Sequence, residues 1–186
     1  KRCALMFKHF IIYIFFILVS NVQASNKDKI IENLKNTKNL NFNFEQNVNG
    51  KVENGNCTIK YPKKIYCKYQ KNNKIIVSNG KSLVIKTKTS FYRYPLNKTP
   101  LNSILDKKFL IKKIINLKEK MLDKTYINFE IEEKDSKINI FFNDKTFNLA
   151  GWQTKDIYQN ISVTHISSIH VNQKIDKDLF NVPTQN

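Results

Sequence analysis

The spacing of apolar residues predicts one amphipathic helix followed by a series of strands. From Asn26 to Lys38, the apolar residues Ile30, Ile31 and Leu34 recur at helical spacing, and Asn26 is placed to cap the helix start. Beyond this helix the apolar period changes to two, which is typical of half-buried antiparallel strands. The alternating side chains of these first strands are Phe42, Phe44, Ile59, Tyr61, Ile65, Cys67, Tyr69, Leu83 and Ile85.

Turn-forming residues separate these strands at spacings that are typical of hairpins. They are Gly50, Gly55, the segment 61–64, the pair Asn72-Asn73 and the pair Asn79-Gly80. The first half of the chain is therefore predicted to fold as an antiparallel meander.

A helical stretch interrupts the alternation near residue 99. Thr99 can cap a helix, and Pro100 suits the first helical position because its missing N–H is not needed there. The apolar stripe of this stretch is predicted to continue through Leu101, Ile104, Leu105, Leu110, Ile114 and Ile115.

Alternation resumes in four later segments, which predict a second set of strands at residues 126–132, 138–142, 147–152 and 161–171. The simplest architecture for this order is a long curved antiparallel sheet with two or three helices against its concave face. The pattern leaves open whether that face is filled by its own side chains or surrounds a ligand cavity.

The first 24 residues have the pattern of a cleavable secretory signal. Lys1, Arg2 and Lys8 precede an apolar run from Phe10 to Val19, and small residues lie at the third and first positions before a cut after Ala24. The run is about half of the roughly 20 residues that a membrane-spanning helix needs. We therefore expect residues 1–24 to be removed on export and residues 25–186 to form one domain.

The chain is strongly basic, with a net charge of +17. Residues 1–24 hold three of the 32 basic residues and none of the 15 acidic ones, so their removal leaves +14. An anionic partner is one interpretation; a codon bias that enriches Lys, Asn and Ile is another. A nucleic-acid partner is disfavoured because the lysines are spread along the chain and no basic helix or stacked-aromatic motif is present.

Several fragments, taken in order, resemble the LolA family. They are Phe44-Glu45-Gln46, the segments 55–62 and 76–83, Thr99-Pro100-Leu101, Gly151-Trp152 before Asp156, and the segment 178–183. The resemblance covers nearly all of the chain after the signal. It implies a mainly β fold with α-helices: an incomplete antiparallel β-barrel covered by an N-terminal helix and an inserted helical lid. The apolar interior of such a protein shelters the acyl chains of lipoproteins that cross the periplasm.

The resemblance also implies partners and site residues. LolA-type carriers receive acylated lipoproteins from the inner-membrane LolCDE ABC transporter and pass them to an outer-membrane acceptor, commonly LolB. We therefore expect a periplasmic monomer with no cofactor. The lid would be residues 99–115, including Thr99, Pro100, Leu101, Ile104 and Leu105. The wall of the acyl-chain cavity would be Phe42, Phe44, Ile59, Ile65, Tyr69, Leu83, Ile85, Phe129 and Ile131.

One position departs from the family pattern. In the family an arginine typically precedes the proline of the second strand and hydrogen-bonds to the lid, which holds the empty form closed. Here Tyr61 precedes Pro62, and Lys60 would point to the opposite face of a regular strand. A tyrosine hydroxyl offers one donor where a guanidinium offers five. We expect the closed state to be weaker or to be latched differently.

Cys57 and Cys67 flank the 61–64 turn almost symmetrically, which would place them across a hairpin. A disulfide is expected in an oxidising compartment. A metal or redox role is not expected, because the spacing is not Cys-x-x-Cys and no histidine lies nearby in sequence.

No catalytic constellation is found in the sequence. His165 and His170 have Asp156 and Asp176 nearby, but no serine lies in a Gly-x-Ser-x-Gly elbow. We therefore expect a binding protein with neither catalytic residues nor a metal. An RseB-like lipid or lipoprotein sensor and a general lipid-transfer protein are the alternatives to a carrier, although RseB-like regulators usually carry an added domain.

Overall fold

A computed structural model of the chain describes residues 24–71, 73–133, 136–155 and 160–184. The predicted export signal lies outside the described residues, except for Ala24. The same holds for Asn72 of one predicted turn and for Asp156.

Two antiparallel meanders form one sheet. The first contains β1 (Asn39–Val48), β2 (Lys51–Lys60), β3 (Lys64–Tyr69), β4 (Ile75–Asn79), β5 (Ser82–Lys86) and β6 (Phe91–Pro95). The second contains β7 (Lys120–Leu122), β8 (Tyr126–Glu133), β9 (Ser136–Asn143), β10 (Leu149–Lys155) and β11 (Ile161–Val171). The two meanders are joined where β1 pairs with β11.

The resulting 11-stranded sheet is open. Its order is β6-β5-β4-β3-β2-β1-β11-β10-β9-β8-β7, so β6 and β7 are the edges and do not pair with each other within the described residues. The predicted incomplete antiparallel barrel is therefore confirmed.

Local sequence explains the first hairpin and one error of prediction. Asn49 and Gly50 both have positive φ, 50° and 88°, as the two-residue turn between β1 and β2 requires. The prediction that Gly55 marks a turn was wrong, because Gly55 lies inside β2. A Cβ at Gly55 would clash with the backbone carbonyl of Lys68 on β3 and would lie 2.7 Å from Cε1 of Phe44 on β1, so this position has no room for a side chain.

Three α-helices lie within the described residues, α1 (Asn26–Asn36), α2 (Leu101–Ile104) and α3 (Lys107–Asn116), and a short 3-10 helix (Leu96–Lys98) precedes α2. None of the described helices is long and apolar enough to span a bilayer. The predicted cap of α1 was wrong by one residue. Ser25 caps this helix, since its hydroxyl accepts from the Asp28 N–H and the Asp28 carboxylate accepts in return from the Ser25 backbone, each at 3.2 Å.

Three further predicted details were wrong. Thr99 does not cap the inserted helix, because its hydroxyl donates to the Leu96 carbonyl at 2.9 Å. Pro100 was predicted at the first helical position but lies at the N-cap, although its backbone angles are helical, and the helix begins at Leu101. Phe147 does not belong to a strand. It lies in a turn with φ of 57°, and β10 begins at Leu149.

The helices pack against one face of the sheet, which we call the inner face. It carries Phe42 and Phe44 of β1, which are buried, whereas Asn43 between them is exposed. Side chains from the helices complete the core. The fully buried members from the helical segments include Ile30, Ile104, Leu105, Leu110 and Ile114, and those from the inner face include Ile59, Ile65, Ile127, Phe129, Ile131, Ile138, Ile140 and Phe142.

Candidate functional site

A cavity of about 220 Å³ lies between the inner face and the start of the lid. Strands β1 to β5, β10 and β11 form its wall, and Thr99, Pro100 and Leu101 cover it. The apolar part of the wall consists of Phe44, Ile65, Tyr69, Ile76, Leu83, Trp152 and the bridged Cys57 and Cys67. Most of the lining is thus apolar, and the lid contributes directly to it.

The structure divides the predicted cavity wall into three groups. Phe44, Ile65, Tyr69 and Leu83 line the cavity. Phe42, Ile59, Phe129 and Ile131 are buried in the core cluster under the helices instead. Ile85 is half-buried near the open edge and pairs across β4 and β5 with the cavity residue Ile76. The acyl-binding role of all nine side chains stays a prediction.

The predicted lid residues are also divided by depth. Ile104 and Leu105 are fully buried in the core, whereas Leu101 is half-buried and faces the cavity. Leu101 is therefore the residue of the predicted apolar stripe that lines the cavity.

A disulfide joins Cys57 of β2 to Cys67 of β3. The two residues are direct partners in the strand register, and both line the cavity. This covalent link holds two neighbouring wall strands together beside the lid.

Tyr61, at the position of the family arginine, does not reproduce the hydrogen bond to the lid. Its hydroxyl is buried without a partner among the described residues, and burial raises the pKa of Tyr61 above its ordinary range. Lys60 is exposed, in agreement with its predicted outward direction. The tyrosine side chain is partly buried and packs against the core, so this residue contributes packing and no hydrogen-bond donor to the lid.

The lid is attached to the turn that follows Tyr61. The Lys63 N–H donates to the Leu105 carbonyl at 2.8 Å, and the Lys63 Nζ lies 3.5 Å from Oδ2 of Asp106. Asp106 also caps α3, because its Oδ1 accepts from the Phe109 N–H at 3.1 Å. Lys63 thus connects this turn to the predicted lid through its backbone N–H and its ammonium group. Sequence reasoning missed it because Lys63 lies in a turn.

Two lysines connect the lid to the N-terminal helix. Lys27 at the start of α1 donates to the Leu117 carbonyl at 2.8 Å, beyond the end of α3. Lys107 at the start of α3 donates to the carbonyls of Lys35 and Thr37, at 3.0 and 2.8 Å, at the end of α1. Desolvation lowers the pKa of Lys107. We call these two lysines the lysine clasp; each places a cation at the negative end of the opposite helix.

Polar side chains occupy one end of the cavity and were not predicted. Tyr69 donates from its hydroxyl to Oε1 of Gln46 at 2.8 Å. Gln46 in turn donates from Nε2 to the hydroxyl oxygens of Ser162 and Thr164, at 3.3 and 3.2 Å. Gln46 belongs to the fragment 44–46 that carries the family resemblance, which was the available signal.

These features define a class of protein. An open antiparallel half-barrel with a helical cover and an apolar cavity between them is a binding domain for an apolar ligand. The family model described as outer membrane lipoprotein carrier protein LolA matches residues 35–183. The chain belongs to this family. It is therefore a lipoprotein-binding domain of a carrier family.

Solved structures with a similar fold have very different sequences. An uncharacterized conserved protein from Thermus thermophilus shares 6% identity with a TM-score of 0.50, over 87% of this chain and 93% of that chain. A LolA superfamily protein from Nitrosomonas europaea shares 10% identity with a TM-score of 0.44, over 86% of this chain and 99% of that one. Comparison with curated proteins found no match.

Proposed function

We propose that this protein is a periplasmic carrier that binds the acyl chains of lipoproteins and transports them from the inner to the outer membrane. The observation that supports this function best is the apolar cavity under the lid of a LolA-family domain. LolCDE would supply the lipoproteins and a LolB-type acceptor would receive them. In this role the protein acts as a monomer without a cofactor.

The free energy of chain burial supports such a role. Each methylene removed from water contributes about 0.8 kcal/mol, so exposing one chain of about 16 carbons would cost more than 10 kcal/mol. A lipoprotein that has left the bilayer therefore needs an apolar enclosure. The half-barrel supplies one wall of that enclosure and the helices supply the other.

The size of the cavity supports a lid that moves when the ligand binds. Its volume of about 220 Å³ is below the roughly 300–1,000 Å³ that ligand pockets usually have. Ile104 and Leu105 of the predicted lid are buried in the core under it. If acyl chains displace these side chains, binding becomes a shift between a closed and an open arrangement of the lid. The closed arrangement protects the inner face in the absence of ligand.

The experiment that tests this function compares two single substitutions within the predicted lid. Leu101→Glu places a charge against the cavity, whereas Ile115→Glu places the same charge where the side chain is 55% exposed. Native mass spectrometry would measure one-to-one binding of a peptide with an N-terminal diacylglyceryl cysteine. We expect the wild type and Ile115→Glu to bind it, and Leu101→Glu to lose at least about 10-fold in affinity, because burying an unpaired charge is costly.

The result that contradicts the proposal is a wild-type protein that stays empty, or a Leu101→Glu variant that binds as tightly as Ile115→Glu. Binding of a free glycolipid in place of the lipopeptide would favour a general lipid-transfer protein. Circular dichroism of both variants controls for loss of fold.

A further inference from the structure

The inner face of β1 changes from buried to exposed along its length. Leu40, Phe42 and Phe44 are 3–4% exposed, Gln46 is half-buried, and Val48 is 36% exposed. Gln46 therefore marks the boundary between the apolar interior and the mouth of the half-barrel. A ligand that inserts its chains into the cavity would have its next chemical group at this depth.

Hydroxyl groups on two neighbouring strands surround that boundary. Thr164 faces Gln46 directly in the β1–β11 register, and Ser162 lies one step nearer the mouth, opposite Thr154 of β10. All of these side chains line the cavity. Thr164 is 3% exposed, so its hydroxyl is enclosed by protein and not by bulk water.

The hydrogen bonds in this group leave donors unused. The hydroxyl oxygens of Ser162 and Thr164 each accept from Nε2 of Gln46. A hydroxyl has one proton to donate in addition to its acceptor sites. Neither hydroxyl donates a hydrogen bond to any described residue, and the Thr154 hydroxyl makes none among them. Gln46 is held in place from the other side, because its Oε1 accepts from Tyr69.

A cavity that bound only hydrocarbon would gain nothing from donors in its wall. An acyl ester carbonyl, by contrast, is an acceptor with no proton of its own, and it loses its hydrogen bonds to water when it enters a protein. The unused hydroxyl protons of Ser162 and Thr164 are donors that an ester carbonyl can accept, and they lie at the boundary that Gln46 marks. The strands thus place donors at the level where an ester would follow an inserted acyl chain.

We propose that Ser162 and Thr164, positioned by Gln46, form a subsite for the ester carbonyls of the diacylglyceryl group of a lipoprotein. This inference rests on the proposed carrier function and names the part of the ligand that is recognised besides its chains. The subsite distinguishes ester-linked acyl chains from other hydrocarbon of the same length.

Two probes separate recognition of the ester from recognition of the chains. One is a peptide with an N-terminal diacylglyceryl cysteine; the other is its dialkyl ether analogue, with the same chain length and no carbonyls. Trp152, the only tryptophan of the chain, lines the cavity and provides a fluorescence readout of both Kd values. Because each hydrogen bond contributes modestly, we expect the wild type to prefer the ester about 10-fold.

The double variant Ser162→Ala/Thr164→Val keeps the volume of the wall and removes both donors. We expect it to lose the ester preference while its Kd for the ether stays within about twofold, because no apolar contact is removed. Thr164→Ser retains the hydroxyl and is expected to retain the preference. Ser162→Ala alone changes a half-buried residue near the mouth, and is expected to reduce the preference about threefold even if the double variant folds poorly.

Three outcomes would overturn the subsite: a wild type that binds ester and ether equally, a double variant that keeps the preference, or a double variant that weakens both ligands equally. All three leave the carrier function standing, since chains are still bound. A wild type that binds neither probe would instead contradict the carrier function itself.

Discussion

At the scale of single residues, two tyrosines on the inner side of the molecule have opposite hydrogen-bonding states. The Tyr69 hydroxyl donates to Gln46 at 2.8 Å, whereas the Tyr61 hydroxyl is buried with no partner among the described residues. A buried polar group without a partner loses its hydrogen bonds to water and gains none in return. Replacing the tyrosine by phenylalanine should therefore change the free energy of unfolding in opposite directions at the two positions.

We expect Tyr61→Phe to raise the free energy of unfolding by about 1 kcal/mol, because it removes an unsatisfied hydroxyl. Tyr69→Phe should lower it by about 1 kcal/mol, because Oε1 of Gln46 then loses its donor. Urea denaturation of the two variants measures both values against the wild type. A loss of stability in Tyr61→Phe would mean that its hydroxyl has a partner after all.

The sequence indicated that position 61 was unusual, but it did not indicate which residue contacts the lid from this turn. The absence of the arginine can be read from the sequence, because it depends only on which residue precedes Pro62. The contacts of Lys63 with Leu105 and Asp106 could not be predicted, because they join segments about 40 residues apart through a turn and a helix start.

At the scale of elements, α1 and α3 lie antiparallel and are joined at both ends by the lysine clasp. Lys27 and Lys107 each donate to carbonyls at the end of the opposite helix, where the backbone has no further helical donor. The arrangement links the N-terminal helix to the lid. We therefore expect the two covers to open together.

Lys107→Met should loosen both helices, while Lys108→Met, an exposed neighbour on the same helix, should not. Loss of bonds from one ammonium group is worth about 1 kcal/mol, so opening should become about fivefold more frequent. Hydrogen exchange of the amides in α1 and α3 measures this directly. If only α3 exchanged faster in Lys107→Met, the helices would be moving independently.

Propensity and pattern predicted the elements better than their ends. The helices and strands were placed because side chains alternate or recur every three to four residues. The caps were predicted less well. The cap of α1 is Ser25, one residue before the predicted Asn26, and Ser25 forms a capping box with Asp28. Asn26 and Ser25 are both good caps, and the choice depends on which residue the Asp28 carboxylate can reach.

At the scale of the whole molecule, the sheet is completed by the pairing of its first strand with its last. Strand β1 lies beside β11, which brings Gln46 next to Thr164 and Ser162. The wall of the cavity therefore includes residues more than 100 positions apart in sequence. Neither meander alone would contain the polar end of the cavity.

The net charge of +17 is also a property of the whole molecule, because the lysines are distributed along the chain. We expect the protein to release a bound lipopeptide faster to vesicles with anionic lipid than to zwitterionic ones. Raising the ionic strength from about 0.1 to about 1 M shortens the Debye length from about 10 to about 3 Å and should remove the difference. Transfer monitored by a fluorescent lipopeptide would show this, and a rate that salt leaves unchanged would argue against electrostatic docking.

The order of the elements, their antiparallel arrangement and the position of the apolar face could all be predicted from the sequence. These features depend on local periodicity, which neighbouring residues such as Phe42, Asn43 and Phe44 show directly. The resemblance added the family, because fragments of several residues keep their order along the chain.

Which apolar residues pack as core and which line a cavity could be seen only in the folded chain. Phe42 and Phe44 have the same alternation, yet only Phe44 lines the cavity, because α1 and the buried part of the lid cover the rest of the inner face. The structure likewise decided that Lys63, Lys27 and Lys107 hold the cover in place. Such contacts depend on distances between remote segments, which no local pattern of residues specifies.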